Sequence, residues 1–312
     1  MTPAFENIHR IVEGQGADPV AGQVVWSPAK SLFLVAMYGL TVLAVVRFFA
    51  WDAVAVFVVK TAAVLLLGHS VGMHRRLIHN SFECPQWLEY VLVYTGVLVG
   101  LGGPFTMIRT HDMRDWAQRK PWCHDYFAHR RSPFVDALWQ IHGEVRLDRP
   151  PQIVPEPRIA SDRFYHFIER HWIAAHLPWA MVFYAAGGWA WVLWGVCAKV
   201  AATVTGHWLI GYMAHRDEPS GWHVRGAGVQ GHNVPFCGLI TMGECWHSNH
   251  HAFPGSARIG LEQGQPDPGW GLIQVFAKLG LAWNIRTAED LPYRPELAWA
   301  GDSAGHKKTA PV

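Results

Sequence analysis

Four long apolar stretches, arranged as two pairs, constrain this chain most. Leu32–Val46 runs almost without a polar residue and continues as Phe48-Phe49-Ala50 past Arg47. Ala53–Gly68 follows, interrupted only by Lys60-Thr61, with a turn at Trp51-Asp52. Further on, Trp172–Ala186 is followed by Trp189–Ile210, with Gly187-Gly188 between them. Each stretch is close to the ~20 apolar residues a bilayer crossing needs, and Arg47 and Lys60 can snorkel to the interface. A buried hairpin in a soluble core is the alternative for one pair, but two pairs in one chain weigh against it. The 312 residues are 50% hydrophobic and 16% charged, with 17 Trp. That charge content is well below the usual quarter, and tryptophan-rich belts mark membrane interfaces. The expected fold is an all-α membrane protein with four transmembrane helices in two hairpins.

Gln86–Ile108 is also apolar but ends in Gly100-Leu101-Gly102-Gly103-Pro104. Histidines flank it on both sides, and a single crossing would put His79 and His111 on opposite faces of the bilayer. It is therefore expected to be re-entrant or to lie in the interface. The connection from Arg109 to Arg170 is rich in arginine, while the turns Trp51-Asp52 and Gly187-Gly188 carry little charge. The positive-inside rule then places the histidine-bearing side and both termini in the cytoplasm, in the inner or plasma membrane of the cell. Cys84, Cys123, Cys197, Cys237 and Cys245 form no CxxC pair and no even framework, as expected for reduced thiols. No cleavable signal peptide is visible in residues 1–30. The net charge of +2 gives no reason to expect a nucleic-acid partner. The expected division is an N-terminal cytosolic segment (1–30), a membrane domain (31–290) and a C-terminal tail (291–312), disordered from Gly301.

The chain carries 19 histidines, and four groups of residues stand out. His247, His250 and His251, at i, i+3 and i+4, share one face of a helix. His74 and His79 follow the second apolar stretch. Their spacing of five separates them by about 140° on an ideal α-helix, so a break is expected before His79. His111 and Asp115 are one turn apart, and His207 sits near the end of the fourth stretch. Imidazole and carboxylate donors suit iron, copper, zinc or nickel. Seven or eight of them exceed what one ion takes, so two metals are expected. Glu244, Asp112 and Asp125 are candidates to orient the histidines from behind.

These motifs resemble the integral-membrane fatty acid desaturases, in particular the acyl-CoA desaturase branch. The HxxxxH box matches at His74 and His79, and HxxHH at His247, His250 and His251. The wider run Gly243-Glu244-Cys245-Trp246-His247-Ser248-Asn249-His250-His251-Ala252-Phe253-Pro254, then Ser256-Ala257-Arg258, is similar to bacterial members almost throughout. His207 matches a further family ligand, and the resemblance covers roughly residues 30–290. It implies four transmembrane helices under a cytosolic, histidine-rich cap that holds two iron ions. It also implies removal of two hydrogens from adjacent methylenes of a long acyl chain, with O2 as co-substrate and two electrons. The implied metal ligands are His74, His79, His111, Asp115, His207, His247, His250 and His251. The acyl carrier is left open between CoA, carrier protein and membrane lipid. No heme, flavin or nicotinamide fingerprint is present, so electrons are expected from a separate ferredoxin, rubredoxin or cytochrome.

The middle box departs from the family. HxxHH is replaced by His111-Asp112-Met113-Arg114-Asp115, and an expected Asn four residues before His207 is Thr203. Cationic arginine cannot ligate a metal. Three accounts fit: Asp115 replaces a histidine ligand; one of His124, His129, His142, His215, His223 or His232 fills the gap; or the site holds fewer metals and the activity is altered. His69 reads as a helix-interior histidine before it reads as a ligand, and His171 and His176 as interfacial. Arg75-Arg76 reads as a membrane anchor, or else as a contact for a carrier's phosphates. A related membrane hydroxylase or ketolase and a non-catalytic metal-binding homologue are the competing functions.

Overall fold

The computed structural model describes residues 10–216 and 221–300. The tail from Gly301, as well as His9 and His306, lies outside the described residues. Three helices among those described are long and apolar enough to cross a membrane: Pro28–Arg47, Trp51–Ile78 and Ala174–Ala214. The third would extend roughly 60 Å if straight, about twice the hydrocarbon thickness. Its backbone breaks at Gly187 (φ −148°, ψ 17°) and Gly188 (φ 62°, ψ −156°). Phe183 packs in one cluster with Val192, Leu193 and Val196, and its ring lies against Gly195. Only a chain that reverses at the two glycines can bring those residues together. The four stretches expected from hydropathy are thus three apolar helices, of which the third folds back on itself.

Gln86–Val97 has 12 residues and is too short to cross. It lies along the second apolar helix at backbone contact distance. A Cβ on Gly68 would fall 2.4 Å from the Thr95 carbonyl carbon, and one on Gly72 would fall 2.6 Å from that of Leu92. Small residues four apart allow this close approach. The segment then turns at Gly100–Gly103 and returns as the helix Pro104–Arg119. Backbone groups at the turn are satisfied by the third apolar helix: Lys199 donates to the Leu98 carbonyl and Thr203 Oγ1 to that of Val99, at 2.7 Å in the second case. Thr203 therefore caps a turn, a task its sequence position does not reveal.

Among the described residues, the remainder forms a cap of short helices and three two-stranded antiparallel sheets, so the fold is mostly helical but not entirely so. Gly22–Trp26 pairs with Gly143–Leu147, and Ile11–Val12 with Gln152–Ile153. The N-terminal segment is thereby woven into the cap. The cap packs on the second helix through Met73, Leu77, Val93, Ile108 and Ile168.

The second helix does not break before His79. Its last 15 residues, Val64–Ile78, form a wider helix with i→i−5 bonds, and the His79 amide donates to the His74 carbonyl at 3.0 Å. The wider turn brings residues five apart nearly into line, which an α-helix would not do. Arg75 and Arg76 are neither membrane anchors nor free for phosphate. Arg75 is 1% exposed, donating to the Ala257 carbonyl (2.9 Å) and Asp267 (2.8 Å), and Arg76 pairs with Glu89 (2.5 Å).

Candidate metal centre

The short helix His247–Ala252 decides how the histidines divide. Successive residues on a helix are rotated by about 100°. His247 and His251, nearly in line, face one way, and His250 is turned toward a second direction. The structure accordingly holds two groups among the described residues. His74, His79, His111 and His250 form one, and His215, His247 and His251 the other, with the ligand atoms of each group within 4.8 Å of one another. Two nitrogens on a common ion at about 2.1 Å each lie at most about 4.2 Å apart, so only small movements separate these groups from coordination. His79 Nε2 is 3.2 Å from His111 Nε2, and His247 Nε2 is 3.0 Å from His215 Nε2 and 3.1 Å from His251 Nε2.

Metal ligation needs neutral imidazole. Burial, reinforced by the neighbouring rings, pushes His79, His215, His247 and His250 well below the ordinary histidine value. Burial also lowers His251, to about 4, although Asp115 opposes the shift. His111 is raised instead, because Asp115 and Asp112 outweigh its burial. His79, His111, His247 and His251 are only half-buried, whereas His74, His215 and His250 are buried. Donor chemistry, together with the neutrality of five of the seven rings, fits two divalent ions.

Carboxylates stand behind the first group. Glu244 Oε2 is 2.6 Å from His74 Nδ1, while its other oxygen accepts from Ser70 Oγ at 2.6 Å. Asp112 Oδ1 is 3.3 Å from His111 Nδ1. Asp125 instead pairs with Arg131 at 2.9 Å and plays no such part. Arg10, 3% exposed, ties the group together: it donates to the Leu77 and Ile78 carbonyls at 2.9 and 2.8 Å, approaches Asp112 at 3.4 Å and pairs with Glu156 at 2.9 Å. Arg286 donates to the His79 carbonyl at 2.9 Å. Nothing in the sequence around Arg10 or Arg286 marks either as part of the site.

The middle box is divided between the two groups. His111 belongs to the first. Asp115 lies outside the close clusters, 3.4 Å from Arg119, in the field of both. Burial opposes its charge, but His111, Arg119, His251 and His247 outweigh that and hold the carboxyl below the usual range. Arg114 turns away to His129 Nε2 (2.5 Å) and Gln140 (2.7 Å). His129 is in turn held by the fully buried Asp136 (2.9 Å), which also accepts from Trp208 (2.8 Å). His129 stacks on His215 at 5.6 Å. A cavity of about 370 Å³, lined by His129, Arg130, His215 and His232 among others, opens beside the second group. Of the histidines considered for the gap, His215 joins the site. His124 caps a short helix and His142 contacts Ser31. His207 lies outside both groups, with its ring 5.0 Å from that of His69. All five cysteines are free.

The family model for fatty acid desaturase matches residues 49–258. An sn-1 stearoyl-lipid 9-desaturase from Anabaena variabilis is 32% identical over 246 residues, covering 77% of this chain and 86% of the relative. An sn-2 palmitoyl-lipid 9-desaturase from Nostoc sp. (strain 36) is 29% identical, covering 76% and 83%. An acyl-CoA 5-desaturase from Anemone leveillei is 27% identical, covering 86% and 84%.

Proposed function

Since this chain belongs to the fatty acid desaturase family and is a fatty acyl desaturase, we propose that it works as a di-iron enzyme on a long acyl chain carried by a membrane lipid. The overall reaction joins O2, two electrons and two protons with a –CH2–CH2– unit, giving a –CH=CH– unit and two waters. The observation that carries the di-iron reading is the pair of close-set histidine groups. Bound iron would supply the O2-derived oxidising power that an unactivated C–H bond requires and that no side chain has.

In this reading His74, His79, His111 and His250 hold one ion, and His215, His247 and His251 hold the other. Asp115 supplies the carboxylate that stands in for a missing histidine. His207 is the alternative fourth ligand. Glu244 and Asp112 hold the proton-bearing nitrogens of His74 and His111, so that the opposite nitrogens face the ions. Four crossings of the bilayer, made by the first two apolar helices and the two limbs that meet at Gly187-Gly188, would put both ions on the cytoplasmic side of the inner or plasma membrane. Electrons would come from a separate ferredoxin, rubredoxin or cytochrome.

Support for a lipid-linked substrate is the naming of the Anabaena and Nostoc relatives; the Anemone relative favours acyl-CoA as a second reading. Metal analysis of purified protein tests the centre: two irons per chain are expected, and zinc or no metal would overturn it. Mass spectrometry of lipids after expression tests the chemistry. Loss of two hydrogens from glycerolipid acyl chains is expected, whereas gain of one oxygen would mark a hydroxylase.

A further inference from the structure

The segment immediately before the third histidine box has no charged residue from Asn233 to Gly243. It shows its apolar side chains outward: Phe236 is 98% exposed, Ile240 70% and Leu239 64%. Phe236 also sits at φ 66° and Met242 at φ 56°. A left-handed backbone is unfavourable for bulky residues, and such strain persists only where the surroundings impose it. A strained turn that holds an aromatic ring fully outward is costly in water on both counts.

The surroundings show what the turn faces. Starting at Trp51, about 20 residues of helix take the second apolar helix across the hydrocarbon to the neighbourhood of Ser70. Ser70 Oγ donates to the Met242 carbonyl at 3.2 Å. The return limb from Trp189 reaches the same depth near Ile210, and Ile210 and Cys237 both pack against the buried cluster that contains Val234 and Trp246. The segment 235–242 is thus attached to two membrane helices at the level where both leave the bilayer. Pro268–Lys278 packs beside it on Leu67 and Val71, with Val275 and Leu279 exposed along its outer side and Lys278 able to snorkel.

We propose that Phe236, Leu239 and Ile240 insert into the headgroup–acyl boundary of the bilayer and form a membrane foot of the cap. The partner is the lipid surface itself. Continuity with the two helices selects it: any soluble protein reaching these residues would have to displace lipid already packed around Leu67 and Ile210. Because the same segment leads directly into Glu244 and His247, the foot also sets the height of the histidine cap above the membrane. The inference rests on the second and third apolar helices crossing the bilayer and on nothing about metal or substrate.

The test is spin labelling of the full chain in phospholipid nanodiscs, with Cys237→Ser removing the one partly accessible thiol. Labels are introduced one at a time at Phe236→Cys and Ile240→Cys, at Val58→Cys as a mid-helix reference and at Glu289→Cys as a cap reference. The ratio of collision rates with O2 and with a water-soluble nickel chelate reports depth. Phe236 and Ile240 are expected to give ratios several-fold above Glu289 and below Val58. Ratios equal to that of Glu289, with Val58 in hydrocarbon, would overturn the foot and leave the patch as a surface for a soluble protein. A water-exposed Val58 would remove the crossing and the foot together. Size-exclusion profiles of the labelled proteins that match the unlabelled one show that a changed ratio is not unfolding.

Discussion

Asp115 and His215 carry the question that the altered middle box raises. Asp115 sits in the field of histidines from both groups, and His215 lies 3.0 Å from His247. Loss of a ligand from a three- or four-donor site weakens it far more than loss of a residue outside it. His215→Ala is expected to lower iron from two to one per chain by elemental analysis, and Asp115→Ala to do the same while Asp115→His retains both. Full iron in Asp115→Ala together with loss in His207→Ala would instead make His207 the fourth ligand. The neutral histidines also give the metal-free protein a defined pH response. His79, His215, His247 and His250 bind protons less readily folded than unfolded, and so does His251. The unfolded chain takes up protons as pH falls through about 6.5, and the folded one does not until well below. Stability is thus complete above about pH 6.5 and is lost progressively toward pH 4, which thermal melts of the metal-free protein would show as a falling midpoint. An unchanged midpoint across that range would contradict the burial of these rings as neutral groups.

Two backbone features of the helices are needed to assemble the site. The wide helix at Val64–Ile78 aligns His74 with His79, and the reversal at Gly187-Gly188 brings the last limb back toward the cap. Gly188 combines φ 62° with ψ −156°, a region open almost only to glycine. Gly188→Ala is expected to cost about 1–3 kcal/mol, read as a lower melting midpoint in micelles, and a neutral result would mean that the limbs meet differently. The apolar stretches, the Gly-Gly turn and the non-crossing Gln86–Ile108 segment were legible because hydropathy and glycine act locally. The alignment of His74 with His79 was not, because the sequence pattern presumes the ordinary α-helical period. The clustering of the HxxHH histidines was legible, but its division between two groups became visible only with the partners in place. His215 was one of six equal candidates until the return limb positioned it. Arg286 was unreadable because it holds main-chain carbonyls, which leave no trace in side-chain motifs, and Arg10 because it joins two such carbonyls to carboxylates more than a hundred residues away.

On the scale of the whole molecule, the centre draws on segments from residue 10 to residue 286, so under the proposed function metal binding and folding would be coupled. A ligand that binds only the folded state raises its stability in proportion to the logarithm of its excess over Kd. Chelation of iron is therefore expected to lower the melting midpoint of the wild-type protein clearly, and that of a protein lacking His247, His250 and His251 hardly at all; equal shifts would place the metal elsewhere. The wide reach of the site has a further consequence for the order of synthesis. Arg10 leaves the ribosome more than a hundred residues ahead of its partners Asp112 and Glu156, and Arg286, which holds the His79 carbonyl, follows His79 by more than two hundred. The walls of the first histidine group can close only once Arg286 has been made. Under the proposed function, iron is loaded only after Arg286 has emerged, and a nascent chain stalled before Arg286 would be unable to retain it.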